Sequence, residues 1–314
     1  MSQAFAHRPV MEAEVVALFG PLPPGLVVDA TVGGGGHAEA ILIAHPHLSL
    51  LGLDRDPDAV AAAGDRLGRF GGRARVVQAR FDALVDLVNE EPSGVLFDLG
   101  VSSPQLDRPE RGFSYRQSGP LDMRMDPGRG PTAADLVNSL PELELARLLR
   151  ANGEGRLARA IARSLVASRP LTTTAQLAEA VARAVPAPAR RRGHPASRVF
   201  QALRIEVNDE AALLSRTLGP ALAALVPGGR AVVLSYHSGE DRLVKSIFAE
   251  AATGGCTCPP RLPCVCGAEP WARLLNRGAR MASEDEVAAN RRASAARLRA
   301  AERLPGPARP EPAR

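Results

Sequence analysis

The sequence predicts a doubly wound α/β sheet that is interrupted by an all-helical domain. Apolar runs of strand length alternate with helical patterns over roughly the first hundred residues, which is typical of βαβ units. An ordinary crossover needs only about a dozen residues plus a helix, so roughly a hundred residues before the fifth strand pattern are surplus and can form a second domain. The later predicted strands span 48–53, 75–78, 95–99 and 230–235.

The first strand pattern ends in an aspartate that is followed by a run of glycines. Val27 and Val28 read as a buried strand, Asp29 stands at its carboxyl end, and glycine occupies positions 33–36. Glycine can bend the chain sharply and bring bare backbone N–H groups close to a ligand. A helical pattern follows over 37–45, and this succession is typical of a nucleotide-binding fold. A tight turn that binds nothing is the alternative.

Acidic residues end the next strand patterns as well. Asp54 lies about 20 residues beyond the glycines, where a carboxylate can bind both hydroxyls of a cofactor ribose. Asp98 ends the fourth strand pattern, and with Asp29 these acids mark the edge of the sheet where ligands bind. Phe81 follows the third strand pattern, where an adenine would lie, although a lone Phe is more often part of the core.

The segment between the fourth and fifth strand patterns has the apolar spacing of helices. Turn signals at Pro141, Pro170 and Pro186 separate the periodic stretches. We predict helices over 143–149, 157–166, 175–185 and 199–207. The predicted boundaries are 1–107 and 211–299 for the α/β domain, 108–210 for the helical insertion, and 300–314 for a disordered Pro-rich tail.

Arginine is concentrated in the insertion. The net charge is +5 and the pI about 9.5, which permits a polyanionic partner. Arginines recur between Arg183 and Ile205 without any acidic residue. A basic loop that leads into a helix suits phosphate contacts, and a merely solvated loop is the alternative. The candidate RNA-binding residues are Arg190, Arg191, Arg192, His194, Arg198 and Arg204.

The chain has no sequence sign of a membrane segment. No apolar run approaches the roughly 18 to 20 residues of a span, and the N-terminal residues lack the apolar stretch of a signal peptide. We therefore expect a soluble protein of the cytoplasm, and disulfides are rare in that compartment.

Four cysteines form two C-x-C pairs, which could close on one tetrahedral zinc ion. The usual zinc spacing is C-x₂-C, so the question of zinc stays open and no metal is assigned to the functional site. The four residues are Cys256, Cys258, Cys264 and Cys266.

The loop after the fourth strand separates two enzyme classes that share the glycine-rich opening. It reads Ser102-Ser103-Pro104-Gln105, and it offers a nicotinamide oxidoreductase no obvious proton relay. Enzymes that methylate exocyclic amines place polar residues and prolines here. The amine lone pair is delocalised into the base, so acceptors must hold the N–H groups in line with the methyl donor.

Ten short sequence blocks, which include the glycine turn and the Ser-Ser-Pro loop, follow one another along nearly the whole chain. They are His7–Val10, Asp29–His37, Asp54–Pro57, Asp98–Asp107, Arg111–Ser114, Leu121–Asp126, His194–Arg204, Val207–Glu210, Ser235–Ser238 and Asn290–Arg299. Together they closely resemble the bacterial 16S rRNA cytosine-N4 methyltransferase family. The resemblance implies a Rossmann-like class I methyltransferase domain that is interrupted by a helical substrate-recognition domain.

The resemblance also implies S-adenosylmethionine as the cofactor and a cytidine in the decoding region as the target. The implied partner is 16S rRNA in the 30S subunit or a late assembly precursor, with no membrane contact, and a homodimer is left open. The target base would have to leave its stack to reach the methyl group. The implied cofactor-binding residues are Gly35, Gly36, His37, Asp54, Phe81, Asp98 and Gln105.

The catalytic assignment is a hypothesis about one loop and the strand beside it. The family lacks the Asp-Pro-Pro-Tyr form of the amine-holding loop, and Ser102, Ser103 and Pro104 take its place next to Asp98. His237 would face this loop together with Tyr236, and a buried histidine with satisfied hydrogen bonds is the alternative. A further alternative is that the chain is a ribosome-assembly factor without catalytic activity. This alternative does not explain why acidic residues end the strands around the glycine turn.

Overall fold

The computed structural model describes residues 9–186, 194–259 and 265–306. The chain divides into two compact units, of which one comprises Met1–Gly100 with Ala212–Arg314 and the other comprises Val101–Ala211. The helical unit therefore begins before the predicted residue 108. Val101 and Leu106 pack against its hydrophobic core, which explains why the boundary lies at the end of the fourth strand.

The first unit is built on one mixed sheet. Its strands are β1 (Gly25–Asp29), β2 (Leu48–Asp54), β3 (Ala74–Gln78), β4 (Gly94–Asp98), β5 (Arg230–Ser235), β6 (Ala272–Leu274), β7 (Arg280–Met281) and β8 (Arg297–Arg303). The strand order is β3-β2-β1-β4-β5-β8-β6, and β7 also pairs with β8. Strands β1 to β5 are parallel, whereas β8 runs antiparallel to β5. The predicted doubly wound α/β sheet is confirmed.

The central strands are buried on both faces of the sheet. Val28, Val95 and Phe97 belong to one hydrophobic cluster, whereas Val27 and Leu96 belong to another. Successive side chains of a strand point to opposite faces, so both faces need a cover. In this unit the helices are α1 (Glu12–Phe19), α2 (Gly36–Ala44), α3 (Pro57–Leu67), α4 (Leu84–Leu87), α11 (Glu210–Ala223), α12 (Ser238–Thr253) and α13 (Glu284–Ala289).

The strand order reverses between β1 and β4. From β1 the chain continues outward through β2 and β3, and from β4 it continues in the other direction through β5. Ligands of open α/β sheets bind outside the carboxyl ends of the strands at such a switch point. Asp29 and Asp98 are the last residues of β1 and β4.

The C-terminal segment corrects the prediction of a disordered tail from Ala300. Residues Ala300 to Arg303 belong to β8, which lies between β5 and β6. Leu298 and Ala300 pack in one hydrophobic cluster and Ala301 in another, so the three side chains are at most 1% exposed. Pro-rich composition predicts disorder only for the end of the chain, and 307–314 lie outside the described residues.

The second unit is helical, as predicted. Its helices are α5 (Ser103–Asp107), α6 (Ala133–Ser139), α7 (Glu142–Ala151), α8 (Ala158–Ala167), α9 (Thr174–Ala184) and α10 (Ala196–Val207). The predicted start of α9 is confirmed, since the Thr173 side chain accepts a hydrogen bond from the Gln176 N–H at 3.3 Å.

Hydrogen bonds around the buried side-chain amide of Asn208 join three of the sequence blocks in the helical unit. Asn208 is 5% exposed, and its Nδ2 donates to the Met123 carbonyl while its Oδ1 accepts from the Met125 N–H, both at 2.8 Å. Met123 has a positive φ of 64°, which is rare for a bulky residue. The Met123 N–H donates to the Arg111 carbonyl at 3.2 Å, so both backbone groups of this residue are fixed.

Among the described residues, every helix is too short or too polar to cross a membrane.

Candidate active site at the carboxyl ends of the strands

Two aspartates at the ends of adjacent strands are connected through Thr31. Asp29 is 1% exposed, and its Oδ1 accepts a hydrogen bond from the Thr31 N–H at 3.2 Å. The Thr31 hydroxyl oxygen accepts from the Asp98 N–H at 2.7 Å. The turn after β1 is therefore fixed to the end of β4. The sequence offers no sign of this role, because the contact joins residues far apart in the chain.

The Asp98 carboxylate is held from two sides. Its Oδ1 accepts a 2.7 Å hydrogen bond from the Tyr236 hydroxyl, and its Oδ2 lies 3.5 Å from the His37 Nε2. The His37 contact is electrostatic rather than a formed hydrogen bond, because both ring nitrogens are buried without a hydrogen-bond partner among the described residues. The Asp98 side chain is 27% exposed, so the carboxylate stays accessible.

The protonation states of this cluster are shifted by burial and by each other. Burial raises the pKa of Asp29 to about 7, although His37 and the Thr31 hydrogen bond act against it. Burial alone would lower the pKa of His37, but Asp98 and Asp29 outweigh it and the net shift is upward. Burial and then Asp98 raise the pKa of Tyr236 well above 10. The phenol is therefore protonated at neutral pH and donates to Asp98.

Asp54 closes the glycine turn onto β2. Gly33 has a positive φ of 51°, and its N–H donates to the Asp54 Oδ2 at 2.9 Å. The Asp54 Oδ1 accepts from the Asp56 N–H at 2.9 Å. Burial raises the pKa of Asp54, and these two hydrogen bonds oppose the rise. Each carboxylate oxygen has a further lone pair, so Asp54 can still accept from ribose hydroxyls.

The other glycines of the turn are explained by packing. Gly35 has a positive φ of 77° at the start of α2, and a Cβ there would lie 3.3 Å from the Ala63 Cα. A Cβ on Gly36 would lie 2.7 Å from the Pro9 Cγ. Close approach of α3 and of Pro9 requires glycine at these positions whether or not a ligand binds. Their role in cofactor binding remains a prediction.

Phe81 lies in the hydrophobic core, as expected if it is a packing residue rather than a cofactor contact. The residue is 8% exposed, and its ring meets the Phe97 ring edge to face with centroids 5.6 Å apart. This geometry supplies a packing role without a ligand. Contact of Phe81 with an adenine remains a prediction.

The Ser-Ser-Pro loop opens the helical unit. The Ser102 N–H donates to the Gln105 Oε1 at 2.9 Å, and Gln105 is 5% exposed. Gln105 thus caps α5, a role that the sequence does not predict. Its predicted contact with the cofactor remains a prediction. Ser103 and Pro104 are the first residues of α5 and are partly exposed. Their role in holding the target amine remains a prediction, as does that of Ser102.

His237 caps a helix, which favours the structural interpretation of this residue. Its Nδ1 accepts from the N–H groups of Gly239 and Glu240 at 3.2 and 3.3 Å. The proton of the neutral ring must therefore be on Nε2, which lies 3.0 Å from the Glu240 Oε1. Glu240 also accepts from the Tyr236 N–H at 2.9 Å. Of the predicted pair, Tyr236 contacts Asp98 and His237 fixes the start of α12.

The predicted RNA-binding residues have different surroundings. Arg190, Arg191 and Arg192 lie outside the described residues. Arg204 is 14% exposed and forms a two-pronged ion pair with Glu210, with both distances 2.8 Å, so the structure gives it a stabilising role within the helical unit. Arg198 is exposed.

His194 belongs to a small aromatic cluster in the helical unit. Its ring stacks on the Tyr115 ring at 4.1 Å between centroids, and Tyr115 in turn meets Phe200 edge to face at 5.7 Å. His194 is exposed, so its other ring face is accessible.

Comparisons with known proteins agree with this geometry. A family model described as the MraW methylase family matches residues 4–304. A protein of Heliobacterium modesticaldum named Ribosomal RNA small subunit methyltransferase H is 48% identical over 314 residues, which cover 96% of this chain and 99% of that protein. Proteins of the same name from Acidothermus cellulolyticus and Geobacter sulfurreducens are 52% and 51% identical over 312 and 310 residues. These alignments cover 96% of this chain and 94% and 99% of those proteins. The chain therefore belongs to the MraW methylase family.

Proposed function

We propose that the chain transfers a methyl group from S-adenosylmethionine to the exocyclic N4 of a cytidine in the decoding region of 16S rRNA. Membership in a methylase family makes it a methyltransferase, and its relatives carry small-subunit ribosomal RNA in their name. The observation that supports the choice of site is the Asp98 carboxylate, accessible at the switch point of the sheet between Tyr236 and His37.

The residues at the strand ends fit the cofactor. Each Asp54 carboxylate oxygen accepts a hydrogen bond, from Gly33 or Asp56, and has a further lone pair for the ribose hydroxyls. The His37 Nε2 faces the Asp98 Oδ2 at 3.5 Å, whereas its Nδ1 is buried without a hydrogen-bond partner among the described residues, and a bound polar group would satisfy the Nδ1. When bound, the cofactor supplies an electrophilic methyl group on a positively charged sulfur.

The chain itself supplies position and charge at the amine. An N4 amine has a delocalised lone pair, so acceptors that hold its N–H groups orient the lone pair for attack. The partly exposed Asp98 carboxylate is the proposed acceptor in the first unit, and Ser102 and Ser103 are the proposed hydroxyl acceptors. The nitrogen gains the methyl group as the bond between that methyl and the cofactor sulfur breaks, which would leave a neutral thioether. The nitrogen then releases one proton to Asp98 or water. Tyr236 holds Asp98 in place through its Oδ1.

The proposed substrate is 16S rRNA in the 30S subunit or in a late assembly precursor. A cytosine within a helical stack cannot reach a methyl donor, so the base must be turned out. The exposed Arg198 and the exposed face of His194 in the helical unit are the described groups that suit phosphate and base contacts.

The test is transfer of labelled methyl from S-adenosylmethionine to small subunits from a strain without the enzyme. We expect label in the subunits, and only N4-methylcytidine after digestion to nucleosides. Subunits from a strain that has the enzyme are the matched control and should accept little label. Tight subunit binding without incorporation would favour the assembly-factor alternative, and label in a ring-carbon methylcytidine would contradict the proposed N4 chemistry.

A further inference from the structure

The connection between α12 and β6 brings cysteine sulfurs together. The sequence contains four cysteines, and all of them lie in this connection. Three are described, Cys256, Cys258 and Cys266, and their Sγ atoms all lie within 4.8 Å of one another. The fourth, Cys264, lies outside the described residues.

The two ends of this connection are fixed to each other. The Trp271 N–H donates to the Ala251 carbonyl at 3.1 Å. Gly254 has a positive φ of 63°, and a Cβ there would lie 2.2 Å from the Glu269 carbonyl oxygen. Only glycine permits this close approach of the two segments. The cysteines nearest to each end, Cys256 and Cys266, are brought together as a result.

The distances suit a shared metal ion better than a disulfide. Four sulfurs around zinc at the usual Zn–S length lie about 3.8 Å apart at the corners of a tetrahedron. The Cys256 and Cys266 Sγ atoms are 3.5 Å apart, whereas a disulfide bond is about 2.0 Å long. Three sulfurs within 4.8 Å of one another are also more than a disulfide needs. The C-x-C spacing differs from the usual C-x₂-C spacing of zinc sites, but it still allows the three sulfurs to lie close together.

The described residues next to the cysteines add little to a core. Val265 is 89% exposed and Cys266 is exposed. Such a segment gains stability from a cross-link, and metal binding supplies folding free energy directly. Accessible thiols that bind no metal would otherwise be open to oxidation.

We propose that Cys256, Cys258 and Cys266 bind one structural zinc ion that fixes the connection between α12 and β6. Each thiol releases its proton on binding, since the thiolate is the ligand. The proposed zinc site lies in the first unit. It is independent of the proposed reaction, because none of its residues belongs to the cluster around Asp98.

The test uses the full chain, produced with zinc in the medium and purified without chelator. Elemental analysis should find about one zinc ion per chain. Exchange for Co²⁺ should give the intense visible bands of tetrahedral thiolate coordination together with a sulfur-to-metal charge-transfer band. Because all four thiols of the chain are in this segment, a thiol reagent reports on this segment alone. The three proposed ligand thiols should react slowly before a chelator is added and rapidly afterwards.

Variants assign the ligands. Cys256→Ser and Cys266→Ser should each lower zinc content and remove the tetrahedral cobalt spectrum. Val265→Ala changes an exposed neighbour that is not a ligand, and it should keep both. If four thiols rather than three become reactive on chelation, Cys264 is the fourth ligand. Zinc content far below one per chain, with all thiols reactive at once or oxidised in pairs, would overturn the proposal. These measurements do not depend on methyl transfer.

Discussion

At the scale of single residues, the account depends on the two groups that hold Asp98. Tyr236 donates to Oδ1, and His37 lies near Oδ2. A carboxylate held in this way loses little orientational freedom when it accepts a hydrogen bond from a substrate. Under the proposed function, Tyr236 is therefore a positioning residue that acts through Asp98.

Tyr236→Phe should lower the kcat of methyl transfer about 10-fold or more, because a hydrogen bond to a charged group contributes about 1.5–3 kcal/mol. The KM for S-adenosylmethionine should change much less. The matched experiment is a double-mutant cycle with Asp98→Asn. If Tyr236 acts through Asp98, the two effects should not add. Additive effects, or an unchanged kcat, would contradict the positioning role.

Asp54→Ala should weaken S-adenosylmethionine binding about 10- to 100-fold, as measured by calorimetry, since it removes a charged acceptor and leaves the Gly33 N–H without its partner. Asp54→Asn is the control that keeps one acceptor oxygen, and it should retain part of the affinity. An unchanged dissociation constant for Asp54→Ala would remove the assignment of this residue to the ribose.

The raised pKa of Asp29 predicts a pH dependence of stability. The pKa is about 7 in the folded chain, whereas an ordinary Asp has a pKa near 3.9. Between about pH 4 and pH 7 the folded chain keeps a proton that the unfolded chain has released. The free energy of unfolding should therefore fall as the pH rises through this window, by a few kcal/mol at about 1.4 kcal/mol per pKa unit.

Urea denaturation of the cofactor-free chain at several pH values measures this fall. Asp29→Asn, which cannot ionise, should reduce the fall, while the raised pKa of Asp54 leaves a remainder of the same sign. The raised pKa of His37 acts above its ordinary pKa of about 6.5 and lies mostly outside this window. Equal pH dependence in the native chain and the variant would contradict the buried, protonated Asp29.

The strand-end acids could be predicted because a strand and the residue that ends it are local in sequence. Their partners could not, since Thr31 reaches Asp98 and Tyr236 reaches Asp98 across strands. The cap that His237 forms on α12 is equally hidden from the sequence, because it shows only in hydrogen bonds. The ion pair of Arg204 with Glu210 is hidden for a similar reason, since it passes beyond the end of α10. The predicted catalytic and RNA-binding roles of these two residues remain predictions.

At the scale of elements, the blocks of the helical unit that surround Asn208 are structural. The chain at 121–126 is irregular, and its conformation with a positive φ at Met123 is held by the Asn208 side chain and the Arg111 carbonyl. Such a conformation persists only where the surroundings determine it. The sequence could predict the helices from their apolar spacing but not this irregular segment, which has no period.

Asn208→Ala should lower the free energy of unfolding by about 2–4 kcal/mol, because it leaves the buried Met123 carbonyl and Met125 N–H without partners. Denaturant unfolding of the full chain measures the change. Asn152→Ala is the matched control, since its side chain donates to the Leu148 carbonyl at the end of α7 and the residue is partly exposed. A similar small loss in both variants would show that Asn208 does not hold the segment.

The last strand shows where composition misleads. Residues 300–303 precede a Pro-rich end, and composition alone predicted disorder for all of it. Strand β8 is fixed instead by pairing with β5, which lies more than 60 residues earlier in sequence: Arg230 is opposite Glu302, and their side chains also form an ion pair at 3.1 Å. Pairing between distant segments has no local signal.

At the scale of the whole molecule, the chain is an α/β unit interrupted by a helical unit. The interruption could be predicted because a crossover of over a hundred residues between neighbouring parallel strands β4 and β5 is far longer than needed. The boundary at Val101 is less predictable, since the loop proposed to hold the amine joins the helical unit directly after Gly100. The proposed substrate contacts are thus encoded next to the proposed catalytic carboxylate.

The most direct test of the proposed function locates the methyl group. Small subunits from a strain without the enzyme are incubated with the chain and S-adenosylmethionine that carries a deuterated methyl, and nuclease fragments of the 16S rRNA are then examined by mass spectrometry. We predict one deuterated methyl group per rRNA, on a decoding-region fragment, at N4 of a cytidine. Label on another fragment, on a ring carbon, or on no fragment would contradict the account.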